Sequence, residues 1–414
     1  MSDLVQTFMR LSDRHDRMFW LDGGGARAWS GRRSILGALR EDDVSLSYDA
    51  ATRQVLRHQH ARSEVVGDDP FHALEDEMRR DAGDRAVSWV GYFGYACRPD
   101  LPAAVGSGPD AVWMRVRDPL IVRHEPLAGS GPATPRPSAS GPPRDYADAF
   151  DEVQRQLRAG NSYEVNLTYR ESLVSDVDPV TAYLRLRAAN PAPYAGYLQH
   201  HGLRLLSSSP ERYALVDRNR WLETKPIKGT TPRAADPDAD AANRLALADD
   251  PKFRAENLMI VDLLRNDLSM VCDVGTVTVP VLMEVESYPS VHQLVSTVRG
   301  HLRDGVGTVQ ALRTLFPAGS MTGAPKLRTM RIIEDVEGSP RGAYAGAFGW
   351  IGADGRADLG VVIRSLVARR EDDRWRYELG TGGGITVRSD VSEEYAETRW
   401  KAERLRAAVQ AGKG

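Results

Sequence analysis

Cysteine is nearly absent: Cys97 and Cys272 are the only two in 414 residues, and they lie far apart. That speaks against a disulfide framework and fits a reducing compartment. Long apolar runs are missing too, and no stretch approaches the roughly 20 residues a membrane-spanning helix needs. The N-terminus sets Asp3, Arg10 and Asp13 around a short apolar stretch, without a signal-peptide pattern, so a cytoplasmic protein is expected. The net charge of -3 removes the electrostatic case for nucleic acid but leaves room for local anion sites. Nucleotide fingerprints are also lacking. Gly382-Gly-Gly384 does not have the spacing of a strand-turn-helix dinucleotide motif, and the loop ending at Lys326 lacks the Gly-Lys-Ser/Thr of a P-loop. What remains, 42% hydrophobic and 27% charged, is the balance of a globular enzyme or binding protein with a full core.

The chain divides by composition. Residues 1–127 mix short strands, at 18–21, 89–95 and 113–122, with a helix at 71–80. Residues 128–144 are nearly all Gly, Pro, Ser, Ala and Arg, which cannot bury a core and reads as a flexible connector. From 145 to 414 the periodicity predicts helices at 146–159, 180–189, 252–267, 308–315, 327–335 and 391–409. Asp250-Pro251 supplies the third with an N-cap and a proline at its first position. Strands are expected at 161–169, 194–198, 203–208, 274–279, 344–351, 359–368 and 377–379, with 380–384 as a glycine turn. A strand-rich but helix-punctuated chain of this kind suits a layered α+β fold.

One stretch organises the rest: residues 223–233, Glu-Thr-Lys-Pro-Ile-Lys-Gly-Thr-Thr-Pro-Arg. Pro226 and Gly229 place Lys228 at a bend outside regular structure. Partial desolvation there would lower its pKa and make the amine a nucleophile; the competing reading is an exposed loop lysine. Glu211 lies seventeen residues earlier. A hairpin turning at 217–220 would bring Glu211 and Lys228 to one cavity.

Carboxylates form the second constellation. Glu256 sits in the third of those helices, and Glu394, Glu397 and Lys401 share one face of the last. Glu393, paired with Asp390, fits a capping box instead. Acids from two helices over a cavity suit Mg2+, which takes few carboxylates and keeps waters for a substrate oxygen; a solvated Glu/Lys face is the plainer reading. Gly382, Gly383 and Gly384 can expose amides to an anion. Arg364 interrupts an apolar run, so either a ligand carboxylate or an internal acid must lie near it. His292 reads as a proton-transfer group or as a satisfied core histidine.

Residues 223–233, 255–267, 316–326, 358–365 and 382–401 together resemble the chorismate-utilising enzymes, the family that includes anthranilate, isochorismate and aminodeoxychorismate synthases. The resemblance is strong over 145–414 and weaker through Trp20-Leu-Asp22, 34–37 and 91–95. It implies a single large α+β unit, two packed β-sheets with helices outside, and a site in the central cleft. It implies a Mg2+-dependent attack on the chorismate ring, with the metal held by Glu256 and Glu397 and with Glu394 beside them. Arg364, Lys401 and the amides of Gly382–Gly384 would bind the two chorismate carboxylates, Glu211 would be the general acid/base, and Thr322 and His292 would line the pocket.

Within the family, anthranilate synthases carry alanine where Lys228 stands; the lysine form is similar to the aminodeoxychorismate-forming branch, in which the lysine adds to ring carbon 2. Glu164 stands where that branch often has glutamine and where water-using relatives carry a lysine base, which argues against isochorismate formation. The reaction consumes ammonia. Neither Cys97 nor Cys272 sits in a glycine-flanked elbow fit for a glutamine amidotransferase nucleophile, so a separate glutaminase subunit is expected as partner.

Overall fold

A computed structural model describes residues 3–410 apart from 26, 28, 82, 83, 85, 126–140, 289 and 290. Most of the expected connector therefore lies outside the described residues; a helix opens at its far end, from Arg144.

Two antiparallel sheets carry the chain. The first has nine strands in the spatial order Gly323–Ala324, Glu164–Ser175, Arg374–Ile385, Ser365–Glu371, Leu203–Ser209, Tyr194–His200, Arg17–Asp22, Arg33–Ala38 and Leu120–Arg123. The second has twelve. Its central path runs Ile227–Pro232, Val291–His301, Trp221–Lys225, Arg212–Val216, Ala357–Val361, Ala347–Gly352, Val87–Phe93 and Ala111–Arg117, and three short strands between residues 45 and 67 finish one edge. Thr278–Ser287 pairs with Val291–His301 off this path. The α+β expectation, two packed sheets with helices outside, holds.

The chain before residue 127 and the chain after it share both sheets. Strands from 1–127 complete both sheets, and Val87–Phe93 pairs directly with Ala347–Gly352. Between the sheets lies an apolar layer drawn from both, including Phe19, Val90, Met114, Leu198, Leu205 and Phe348. The outer face of the twelve-stranded sheet is covered by helices Pro70–Arg80, Pro251–Ser269 and Thr308–Leu315. Helices Asp3–Arg14, Pro179–Ala189 and Val391–Val409 cover the other sheet. Central strands are thus buried on both faces, and all seven residues of Tyr194–His200 are buried. This is why such segments read as continuous runs and not as alternation.

Trp20, Trp89 and Trp113 are fully buried. Each removes on the order of 200 Å2 from water, roughly 5 kcal/mol as an upper bound. Their indole nitrogens have no hydrogen-bond partner among the described residues, which offsets about 1–3 kcal/mol of that in each case.

Three histidines meet where the end of strand Tyr194–His200 approaches strand Gln54–Gln59. His58, on Gln54–Gln59, packs 5.4 Å from the His200 ring and 5.6 Å from His201, ring centre to ring centre. The His58 ring is held by Ser47 and Ser63, both at 2.7 Å. Burial, with help from His201 and Arg17, pushes His58 down to about 4. His200 and His201 are lowered as well, again by burial first. The unfolded chain therefore takes up protons near pH 6.5 that the folded protein refuses until about pH 4, and stability is lost as pH falls through that window. Urea unfolding of the wild type and His58→Gln from pH 7.5 to pH 4.5 checks this: the wild type should lose stability more steeply with acid. Parallel curves would clear His58 of the effect.

Candidate active site

A cleft of about 900 Å3, counting its open mouth, lies where the Glu164–Ser175 and Arg374–Ile385 strands face Ile227–Pro232, beneath helices Pro251–Ser269 and Val391–Val409. Four glutamates and four cations line it: Glu211, Glu256, Glu394 and Glu397 with Lys228, Lys252, Arg364 and Lys401.

The expected hairpin forms. Arg212–Val216 pairs with Trp221–Lys225 around a turn at 217–220, and Glu211 and Lys228 line the same cleft. Lys228 is not on an irregular bend, however. It lies in strand Ile227–Pro232, at a register shift between Ile227 and Thr230 where Gly229 takes φ +99°. The bulge re-aims the lysine out of the ladder and into the cleft. Its side chain is 9% exposed and its ammonium donates to Glu164 Oε1.

The expectation of a lowered lysine pKa is overturned. Burial does pull Lys228 down, but Glu164 first, then Glu256 and Glu211, more than offset it, and the net direction is up. Lys228 rests as a buried cation.

Three acids behave differently from surface carboxylates. Glu211 accepts from Ser320 Oγ at 2.6 Å, and burial raises it to about 7 in spite of Ser320 and Lys228. Glu256 is raised to about 8, chiefly by burial, and its Oε1 is buried without a hydrogen-bond partner among the described residues. Glu394 is raised by burial and by Glu397, and accepts from Lys252 and Ser389, each at 2.7 Å. Glu397 pairs with Lys401 at 2.8 Å, and Lys401 also donates to the Gly382 carbonyl at 3.0 Å. The Glu/Lys face of the last helix is therefore turned into the cleft and is not a solvated surface.

Gly382, Gly383 and Gly384 do not form a turn. They continue strand Arg374–Ile385, in register with Thr168, Leu167 and Asn166 of the neighbouring strand. Pairing on the other side stops at Leu379 with Leu366, so the glycines border the cleft along an edge with no further partner there. Sheet pairing has overridden the local preference of glycine for turns. Small size matters at Gly384: a Cβ there would fall on Glu164 Oε1 and come within 2.8 Å of Lys228 Nζ.

Arg364 is not within a strand either. It sits in the link between Ala357–Val361 and Ser365–Glu371 at φ +52°, a conformation a non-glycine residue adopts at a cost of order 1–3 kcal/mol. Burial and the nearby Arg404 lower it to about 10, and its guanidinium lies over the Trp400 ring. No carboxylate forms an ion pair with it among the described residues.

Two expected pocket residues are elsewhere. Thr322 is fully buried, its hydroxyl turned to the Ala318 and Gly319 carbonyls; Ser320 and Met321 line the cleft instead. His292 is held between Ser287 at 2.8 Å and Asp240 at 3.1 Å, a satisfied core histidine, and Gln293 faces the cleft in its place. Sequence reasoning missed Ser320, Lys252, Gln293 and Tyr344. Only Lys252 carried a signal, one turn before Glu256 on the same helix face.

Among the described residues no three His, Cys, Asp or Glu side chains are gathered into a ready metal cage. The donors nonetheless fit a hard cation. Glu256 has an unsatisfied buried oxygen, and Glu394 and Glu397 are each neutralised by a lysine that a cation could replace. Mg2+ needs only one or two such carboxylates.

Residues 46–407 match the chorismate binding enzyme family. The chain is 40% identical over 446 residues to a Streptomyces pristinaespiralis protein named aminodeoxychorismate synthase, covering 95% of this chain and 62% of that one. It is 42% identical over 260 residues to aminodeoxychorismate synthase component 1 of Escherichia coli K12, covering 63% and 56%. It thus spans less than two thirds of these relatives' length. The fold is similar to that of anthranilate synthase component I from Streptococcus pneumoniae TIGR4, with a TM-score of 0.75 at 24% identity over 98% of both chains.

Gly384→Ala should disrupt the Glu164–Lys228 pair while leaving the sheet able to form. Enzymatic activity is expected to fall by roughly 100-fold or more if the pair takes part in the chemistry of the cleft, the scale of a displacement of about 1 Å in an active site. Full activity in the folded variant would show that the pair tolerates the methyl group.

Proposed function

The chain belongs to the chorismate binding enzyme family, and from that premise we propose that it converts chorismate and ammonia to 4-amino-4-deoxychorismate. The observation that carries this reading is Lys228, a lysine amine brought into the cleft opposite Glu211. The relatives named for aminodeoxychorismate synthesis support it.

Chorismate presents two carboxylates and a 4-hydroxyl leaving group on a diene ring. Arg364, Lys401 and the glycine strand edge are the groups fitted to the carboxylates. Once deprotonated, Lys228 Nζ attacks ring carbon 2; the ring electrons shift and the bond from carbon 4 to its hydroxyl breaks. Glu211, with a pKa near 7, is protonated often enough at neutral pH to give that hydroxyl a proton and release water. Ammonia then attacks carbon 4, the electrons return, and the bond to Lys228 breaks with its pair on nitrogen. Without an amine already at carbon 2, ammonia itself would add there. Mg2+, held by Glu256, Glu394 and Glu397, would supply Lewis-acid polarisation of the departing hydroxyl.

Ammonia must come from outside. Cys97 and Cys272 are buried and burial raises both thiols, so neither is a thiolate nucleophile for glutamine. A separate glutamine amidotransferase subunit is the proposed partner, and the product serves 4-aminobenzoate and folate formation or a specialised pathway.

Product analysis by mass spectrometry tests the reading. With chorismate, Mg2+ and an ammonium salt the chain should form 4-amino-4-deoxychorismate, and with glutamine alone it should form none. Lys228→Ala should lose this product through kcat and not only through KM. Anthranilate from the wild type, or unchanged product from the variant, would sink the covalent role. For the metal, Glu256→Gln should raise the Mg2+ concentration giving half-maximal activity by roughly tenfold or more, as loss of a charged oxygen ligand implies. An unshifted Mg2+ titration would remove Glu256 from the metal site.

A further inference from the structure

Lys228 presents a difficulty that its neighbours resolve. A nucleophile must be a free amine, yet this lysine is a buried ammonium surrounded by acids. It is bonded directly to only one of them, Glu164, whose Oε1 accepts from Nζ. Glu164 is 1% exposed, and its second oxygen, Oε2, is buried without a hydrogen-bond partner among the described residues.

The carboxylate is firmly placed. Glu164 opens strand Glu164–Ser175 and pairs with Ala324, and its carbonyl accepts from Ser162 Oγ at 2.8 Å. Gly384 on the adjoining strand keeps clear the space that the Glu164–Lys228 contact occupies. The other charged groups lining the cleft with Lys228 come from separate elements: Glu256 and Lys252 from helix Pro251–Ser269, Glu211 from the residue before Arg212–Val216, Glu394, Glu397 and Lys401 from the last helix, and Arg364 from the link before Ser365–Glu371.

We propose that Glu164 is the proton acceptor that frees the Lys228 amine for attack and returns the proton when the amine departs. This rests on the reaction proposed above. Transfer within the hydrogen bond turns two buried charges into a neutral amine and a neutral acid. Substrate entry excludes water, and a drier cavity favours the neutral pair over the ionic one.

The steps balance. Nζ passes one proton to Glu164 Oε1. The neutral amine then gives its lone pair to ring carbon 2 and becomes a secondary ammonium, while the leaving hydroxyl takes the proton of Glu211. When ammonia bonds to carbon 4, the bond from carbon 2 to nitrogen breaks and its electron pair restores the neutral amine. Glu164 then gives its proton back. The new amino group arrives as an ammonium and can reprotonate Glu211.

The test separates this role from simple charge stabilisation, because the two predict opposite effects of Glu164→Gln. The full chain is assayed with chorismate, Mg2+ and an ammonium salt from pH 6 to 9. Loss of a proton acceptor should lower kcat at neutral pH by roughly 100-fold or more, the usual scale of general-base catalysis, and the rate should recover as pH rises. KM for chorismate should stay within about threefold, since no substrate contact is removed. If Glu164 only held Lys228 charged, glutamine would ease deprotonation, and kcat at neutral pH would hold or rise; that result overturns the proposal. If the glutamine variant does not fold, Glu164→Asp carries the test. It keeps the charge but draws the acceptor back by one methylene, so roughly a tenfold or greater fall in kcat is expected. Unchanged kcat in that variant also overturns the proposal. A wild type that forms no 4-amino-4-deoxychorismate overturns the proposed function itself; normal product with an insensitive residue 164 overturns only the role of Glu164.

Discussion

Acid and base confined together out of water are the constraint to which the rest of this molecule answers. An isolated buried charge costs more than a folded domain can spare, so the ionised groups of the cleft are driven to pair, and Arg364, which has no carboxylate ion pair among the described residues, is lowered to about 10. The molecule meets this by pairing: Lys228 with Glu164, Lys252 with Glu394 and Lys401 with Glu397. Glu211 and Glu256, without such a partner of their own, hold their protons toward neutrality. Strands Ile227–Pro232 and Glu164–Ser175 deliver the first pair, helix Pro251–Ser269 delivers Lys252, and the last helix delivers Glu394, Glu397 and Lys401. The bulge at Gly229, the missing Cβ at Gly384 and the proline-capped helix bearing Lys252 and Glu256 are the backbone devices that let them meet.

Much of this was legible in the sequence where local chemistry and tertiary structure agree. The helices Thr308–Leu315 and Val391–Val409 begin and end at the expected residues, the second behind its Asp390 cap. Strands were harder. Arg62–Gly67 is almost wholly exposed, so it carries no apolar alternation to read, and helix Pro237–Asp249 buries only Leu247. The glycine run at 380–384 has turn composition but strand structure, because a long neighbouring strand supplies the pairing. In the site, residue types were readable and facing was not. His292 and Gln293 are adjacent on one strand, so its period of two sends one to the core and the other to the cleft. Thr322 has the chemistry of a lining residue, yet Ser320, two positions earlier, is the one that bonds Glu211. Ion-pair partners such as Lys252 and Glu394 lie more than a hundred positions apart, beyond any local pattern.

The Streptomyces pristinaespiralis and Escherichia coli relatives are named for aminodeoxychorismate synthesis, while the similar fold is that of an anthranilate synthase component I. The shared fold cannot separate two such chemistries, because fold does not fix function. The distinction falls to single side chains in one cleft. In the proposed reaction Lys228 is such a side chain, one that would add a covalent partner for the ring on an otherwise shared scaffold. The surrounding acids, Glu164 first and then Glu256 and Glu211, hold that amine toward its charged form.

The interleaving of early and late strands also governs how the chain can acquire this structure. Val87–Phe93 has Ala111–Arg117 on one side, but its other partner, Ala347–Gly352, lies roughly 260 positions further along. Arg17–Asp22 likewise waits for Tyr194–His200. During synthesis the first 120 residues emerge with strand edges open and with Trp20, Trp89 and Trp113 lacking the layers that bury them. Non-local pairing of this kind is slow, and exposed edges invite association. The nascent chain therefore has to be shielded until its last third leaves the ribosome, and a truncation that removes only the final strands should strip cover from the first.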